Sequence, residues 1–462
     1  MKEPMGFALV LLGLSSLMKA STAFVTTHFS HHGHQQNARF QASGCRNVAL
    51  KANIVDIGSQ APRDIGSFQE WAFGNGVQTS DGFQLTSEDG LDISVMTTTD
   101  IPQGSPVLMV PQHMIFSANK WEDLLSDTES IRQAEQALQR CNMMQYYSEF
   151  ALYVYLLSEV EKGDESPWYA WFNSLPRIYY NGASMTAICY ECLPPYIASL
   201  ARESRAKMTY FHQALQLVDD SIVTEETKIN KELANWVFQV VSTRSFPSPD
   251  GDVKISPMAD MFNHGTEYEV ELSYDDDGNC YAYTVTDVPA GSPLRISYGD
   301  PTNPSVFLGK YGFLDETSPA SFCKIMIDNP TQQLVNMGYD PSRMLFYKDT
   351  GDVSQEVYDV LLYQILERED RQTQYALYEA VLNGDEETKL AIHQHFADQT
   401  LAALNKHVST FLVQLDQLSA KGVGKDINEH PRLPLIMRHN QFVKETFQRV
   451  QVRLQEMTAG AY

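Results

Sequence analysis

Basic residues are scarce in this chain of 462 residues, where 34 Lys and Arg stand against 58 Asp and Glu for a formal charge of −24. That balance argues against sequence-independent binding to nucleic acid, which depends on cations neutralising phosphates. A basic protein surface is the better-matched partner. Cysteine is sparse too, at six residues; Cys45 falls in an N-terminal leader, and the odd remainder supports no disulfide framework. Cys189-x-x-Cys192 has no second pair and no histidine cluster at ligand spacing, so reduced structural thiols are expected and no metal site. No apolar run is long enough for a comfortable membrane span, and no internal repeat or low-complexity tract is visible.

Acidic residues are missing altogether between Pro4 and Val55. Residues 6–18 form a short apolar run after Lys2, and the small residues Ser21-Thr22-Ala23 follow it. This is the pattern of a signal peptide over residues 1–23. Residues 24–55 carry Arg39, Arg46 and Lys51 among Ser, Thr, His and Gln, the composition of an unfolded transit peptide. The junction Ala20-Ser21-Thr22-Ala23-Phe24-Val25 resembles the Ala-Phe cut of bipartite leaders in algae with secondary plastids, diatoms among them. A plastid location is therefore expected, with plain secretion as the alternative, and no membrane association once the leader is removed.

Beyond the leader the length exceeds a usual single core, so two globular units are expected. Phe68-Gln69-Glu70-Trp71-Ala72 before Gly74 and Gly76 predicts a short helix, and Val107–Pro111 a buried strand. Residues 120–241 are mainly helical in pattern: Phe150, Val154 and Leu157 share one face, and Leu233, Trp236, Val237, Val240 and Val241 recur up to Arg244. Val270–Tyr274 and Tyr281–Val285 flank Asp277-Gly278 as a hairpin. Helical stripes return at Val357, Leu361 and Ile365, from Leu401 to Leu415, and at Phe447, Val450 and Leu454, punctuated at Asn383-Gly384-Asp385 and Gly422-Val423-Gly424.

Four polar clusters organise the middle of the chain: Arg244-Ser245-Phe246; Ser256-Pro257-Met258-Ala259-Asp260-Met261-Phe262-Asn263-His264; Arg295-Ile296-Ser297-Tyr298-Gly299-Asp300; and Lys310-Tyr311-Gly312-Phe313. Singly each reads as a turn, a strand end or core. Their order and spacing resemble the SET-domain protein methyltransferases, most closely the branch of the Rubisco large-subunit lysine methyltransferase and the actin-histidine methyltransferase. The resemblance implies an α+β fold. Small sheets of a SET domain over residues 64–317 would be split by a helical insertion at about 120–241, and an all-α substrate-binding domain would fill residues 318–462.

The resemblance also implies S-adenosylmethionine as methyl donor and a protein substrate with an exposed lysine, Rubisco or another plastid protein. By motif position Tyr311 is the first catalytic tyrosine and Tyr298 its neighbour. Arg244 matches the arginine for the donor's carboxylate, Asn263 and His264 match the residues that hold its amino group and adenine, and Phe313 lies at the end of the substrate channel. Asp260 is expected to brace the loop. Where the family carries a Gly-x-Gly segment against the donor, this chain has Glu88-Asp89-Gly90-Leu91-Asp92-Ile93-Ser94: Gly90 supplies one glycine, and Asp92 and Ser94 replace others. A carboxylate at Asp92 is expected to crowd the donor and repel its carboxylate. There are two alternatives: a SET-fold binding module without catalysis, and a protein-histidine methyltransferase, against which Tyr311 speaks.

Overall fold

The chain is described by a computed structural model at residues 53–125, 128–248, 251–321, 325, 327 and 329–459; the expectations for residues 1–23 and for most of 24–55 lie outside these. Ala52–Met326 and Gln332–Tyr462 form one unit, which holds the sheets and the helices.

The central hairpin forms, Val270–Tyr274 pairing antiparallel with Cys280–Thr284, the second strand one residue earlier than the expected Tyr281–Val285, and Gly278 takes the positive φ of 80° that its turn requires. Its second strand also pairs with Pro106–Val110, and that strand pairs with Gln78–Thr79, giving a four-stranded antiparallel sheet. Leu108, Val110, Cys280 and Ala282, which face one another in this register, are buried. Four further small sheets occur among the described residues: Phe83–Thr86 with Ser94–Thr97; Phe116–Ser117, Val253–Ile255 and Phe246–Pro247; the parallel pair Asn263–His264 with Arg295–Ile296; and Ala320–Ser321 with Phe346–Tyr347. That parallel pair lays the Asn-His motif beside the strand leading to Tyr298.

Helices Ala118–Leu125 to Lys231–Arg244 split the sheets in sequence. The last of these starts at Asn230, whose side chain accepts the Leu233 N–H. Its expected stripe of Leu233, Trp236, Val237, Val240 and Val241 is buried, and so are Phe238, Gln239 and Ser242 around it. A helix buried on nearly all sides must carry its last residue inward, and that residue is Arg244, 9% exposed. Aromatic packing secures the insertion against the sheets: Trp171 is fully buried, with its ring centroid 5.2 Å from that of Phe116.

Among the described residues five helices follow the last strand: Gln355–Glu369, Arg371–Asn383, Glu386–His395, Ala397–Gly422 and Leu433–Ala459. Gly384 ends one with φ 67°, and Asp385 opens the next by accepting the Thr388 N–H. In the first, Leu362 and Leu366 are buried where the stripe predicted Ile365, because that helix is covered over a broader face. The last helix reaches back to the insertion, where Leu433 and Ile436 pack on Cys189, Cys192, Leu193 and Ile197. Cys189 and Cys192 are buried free thiols in this second core. Among the described residues no helix is long and apolar enough to cross a membrane.

Candidate active site

A cavity of about 500 Å³ opens where the end of the Lys231–Arg244 helix, the Asn263–His264 strand, Tyr298 and the Tyr311–Phe313 segment meet. Arg244 lines it and is nine-tenths buried. The guanidinium Nη1 donates to the Asp260 carboxylate at 3.0 Å and to the Asp260 carbonyl at 2.9 Å. The Trp171 indole N–H donates to the same carboxylate oxygen at 3.0 Å. Burial alone would lower the arginine's pKa; Asp260, Tyr179 and Asp92 outweigh it and hold the guanidinium charged. Its Nε is buried without a hydrogen-bond partner, so one edge of the group is left for something entering the cavity.

Asp260 sits in a single 3₁₀ turn, Ala259–Met261, entered through Met258 at φ 75°. For a non-glycine residue that conformation costs on the order of 1–3 kcal/mol. The Met258 side chain, fully buried, offsets part of this. The strained entry brings Asp260 under Arg244 and presents Asn263 and His264 to the cavity from the next residues.

His264 is hydrogen-bonded through one ring nitrogen and lies near a carboxylate through the other. Nδ1 accepts the Tyr298 backbone N–H at 3.2 Å, which leaves the proton on Nε2, 3.4 Å from the Asp315 carboxylate. Burial lowers its pKa while Asp315 pulls the other way. The imidazole also lies 4.2 Å from the Phe307 ring and 5.6 Å from Phe313. Asn263, beside it, is exposed toward the cavity.

Tyr298 donates its hydroxyl to the Phe262 carbonyl at 2.6 Å, and its ring centroid is 4.8 Å from that of Tyr311. Burial raises its pKa well above the ordinary phenol value, so the phenol stays neutral and its oxygen keeps a lone pair to offer. Tyr311 closes one turn of π-helix, Phe307–Tyr311, marked by the Gly312 N–H bond to the Phe307 carbonyl at 2.9 Å. Gly312 follows at φ 90°, and a Cβ there would stand 2.6 Å from the Asn181 backbone nitrogen. Glycine is thus required both for the turn and for close approach, and it aims Tyr311 and Phe313 into the cavity together.

The wall opposite is the segment Asp89–Ile93. Gly90 adopts φ 76° and its carbonyl accepts the Arg63 N–H at 2.7 Å, but Gly90 itself does not line the cavity; Asp89, Leu91 and Asp92 do. Asp92 faces Arg244, with Oδ1 3.7 Å from Nη2. Ser94 pairs with Thr86 in its strand and does not line the cavity. Sequence reasoning missed several lining groups, among them Tyr179, Arg63 and Arg177. Tyr179, with its hydroxyl buried and its pKa pushed up to about 12 by burial against the pull of Arg244, comes from the insertion. Arg63 comes from the start of the fold, and Arg177 turns its guanidinium onto the Phe172 and Leu175 carbonyls. The lining residues between 244 and 313 carried motifs; Tyr179, Arg63 and Arg177 had none.

The cavity has the volume of a small-molecule site. It combines a buried cation with an unused edge, an imidazole flanked by aromatics and two phenols, a set that fits a ligand with a carboxylate, an aromatic base and a polarised methyl-bearing centre. Among the described residues no group of His, Cys, Asp and Glu is arranged to hold a metal ion.

Small sheets interrupted by a helical insertion, with the Asn-His strand paired parallel to the strand before Tyr298, make this a SET-domain fold. The particular type is that of Rubisco LSMT: the SET domain of LSMT bound to lysine and AdoHcy superposes with a TM-score of 0.60 at 15% identity, over 85% of this chain and 91% of that one. Rubisco LSMT bound to sinefungin and monomethyllysine gives a TM-score of 0.57 at 14% identity, over 85% and 92%. By sequence the chain is 26% identical over 183 residues to SET domain-containing protein 4 of Artemia parthenogenetica, and 22% identical over 198 residues to that of Mus musculus. These matches span 45% and 44% of the two relatives and 37% and 38% of this chain. A scan against known protein families matches none.

Proposed function

We propose that this chain is an S-adenosylmethionine-dependent protein-lysine N-methyltransferase. The observation that carries the reading is the convergence of Arg244, Asn263, His264, Tyr298 and Tyr311, from four separate motifs, on one cavity. The solved neighbours bound to AdoHcy or sinefungin with lysine or monomethyllysine support it.

When bound, the donor supplies an electrophilic methyl group. Arg244 takes the donor's carboxylate on its unused edge, and Asp260 and Trp171 keep that edge aimed. Asn263 and His264 hold the amino group and the base. The protein's main task is alignment, since in-line displacement at carbon by a neutral amine requires no dedicated acid. Substrate lysine arrives protonated, with an ordinary pKa of about 10.4, and each unit of lowering costs about 1.4 kcal/mol. The aromatic walls of Tyr298, Tyr311 and Phe313 disfavour the ammonium by desolvation, so the proton leaves to water. Tyr311 orients the amine. Tyr298, anchored on the Phe262 carbonyl, offers an oxygen to the polarised methyl, contacts worth about 0.5–1 kcal/mol each.

Tyr311 favours lysine over histidine as acceptor. The C-terminal helices from Gln355 onward serve as the substrate-binding domain, and a plastid protein, Rubisco among the candidates, is the target; the leader composition supports the compartment. Incubating the chain with isotope-labelled donor and plastid protein, then mapping label by mass spectrometry, tests the reading. Label on lysine that disappears with Tyr311→Phe is expected. Label on histidine alone, or none from a folded protein that binds donor, would replace it with one of the two alternatives. A fluorescent protein fused behind residues 1–60 that collects outside diatom plastids would remove the compartment.

A further inference from the structure

We propose that Asp92 recognises the ammonium group of the donor's amino-acid head, forming with Arg244 a receptor for a zwitterion. This rests on the donor reading above. From the sequence, a carboxylate at this position is expected to repel the donor. The structure places it differently: Asp92 lies beside the guanidinium that would take the donor's carboxylate, so the cavity presents both charges side by side.

Three features separate this arrangement from an ordinary structural ion pair. First, the main partner of Arg244 is Asp260, at hydrogen-bond distance and with two contacts, and Asp92 adds only a more distant attraction at 3.7 Å. Second, Asp92 stands 3.7 Å from Nη2, outside hydrogen-bond range, and the nine-tenths buried Arg244 keeps Nε unpartnered. The guanidinium edge is therefore not consumed by Asp92. Third, the Asp92 side chain is 56% exposed yet held firmly. Asp89 Oδ1 accepts the N–H groups of Leu91 at 2.7 Å and Asp92 at 3.1 Å, the Ser87 hydroxyl bonds the Asp92 carbonyl, and Asp92 Oδ1 accepts the Ile93 N–H at 3.0 Å. The remaining carboxylate oxygen is open and pre-positioned.

An α-amino acid carries its carboxylate and ammonium on the same carbon. A carboxylate docked on the free edge of Arg244 puts the ammonium within reach of the neighbouring anion, with little ordering left to do because both side chains are already fixed. One cation between two carboxylates is also a poor site for a lone anion and a good one for a head group that brings a positive charge of its own. Asp92 thereby selects ligands that retain the amino group.

The test is calorimetric titration of the full chain and of Asp92→Asn with S-adenosylhomocysteine, with its analogue lacking the amino group, and with 5′-methylthioadenosine, which lacks the whole head. On the wild-type protein, loss of the amino group is expected to weaken binding about 10-fold or more, the range of a charge-assisted hydrogen bond. On Asp92→Asn the intact ligand weakens by a similar factor, loss of the amino group costs markedly less than on the wild type because only the neutral contact of Asn263 remains, and 5′-methylthioadenosine binds both proteins alike. Equal loss of affinity on both proteins when the amino group is removed would overturn the role of Asp92, as would tighter binding of the intact ligand by Asp92→Asn. A wild-type protein indifferent to the amino group overturns it without recourse to the variant. If the folded wild type binds none of the three, the donor reading itself fails and Asp92 with it.

Discussion

Replacing Asp260 by alanine removes the carboxylate that both Arg244 and Trp171 use. The Asp260 side chain is 0% exposed, and Nη1 of Arg244 and the Trp171 indole each lie 3.0 Å from the same oxygen. Arg244 keeps its bond to the carbonyl of residue 260, but its charge then stands buried with only the looser Asp92 nearby. Breaking a buried pair by removing one partner costs about 3–5 kcal/mol. At about 2 °C per kcal/mol, the lower end for large domains, the midpoint of thermal unfolding falls by about 6–10 °C. Urea unfolding checks the energy directly. The double variant Arg244→Met, Asp260→Leu is expected to recover much of the loss, since an apolar pair of similar volume leaves no orphaned charge. A loss below about 1 kcal/mol in Asp260→Ala, or a double variant no better than the single one, would refute the buried-pair reasoning.

Gly312→Ala forces a side chain into φ 90° and to within 2.6 Å of backbone at Asn181, so a destabilisation of about 3 kcal/mol or more is expected, with turnover falling more than donor affinity because Tyr311 and Phe313 shift. Arg432 donates from Nε and Nη2 to the Tyr179 carbonyl at 2.9 and 2.6 Å, tying the last helix to the cavity wall. Arg432→Ala should therefore weaken donor binding by about 10-fold in calorimetry, while Arg432→Lys restores part of it. His407 gives a pH signature: burial pushes its pKa down to about 4 from an unfolded value near 6.5. The folded state refuses a proton that the unfolded chain accepts, so stability is full above about pH 6.5 and falls as pH drops toward 4. Linkage makes the loss between pH 7 and 5 about 2 kcal/mol, visible in urea unfolding and absent in His407→Leu.

Short-range signals were legible in the sequence. The hairpin around Asp277-Gly278, the stripe leading to Arg244 and the Asn-Gly-Asp break at residues 383–385 each depend on neighbours a few residues away, and each stands within one residue of where it is expected. The motif residues converged because their chemistry is concentrated between residues 244 and 313. What escaped was long-range. Trp171 meets Asp260 from 89 residues away, and Arg432 reaches Tyr179 from 253 residues away, with no periodicity or spacing to announce either. Gly90 shows the limit of reading by motif: its positive φ is real, yet its carbonyl serves Arg63 and its neighbours form the wall. The side-chain direction of Asp92 depends on the bonds within residues 87–93 and could not be read from its position alone.

Calorimetric titration of S-adenosylmethionine into the folded chain, beside Arg244→Ala and Asn263→Ala, tests the donor site most directly. Saturable binding by the wild type, weakened about 10-fold or more by each substitution, is the expected result. No binding by the folded wild type, or affinity unchanged in both variants, would contradict it.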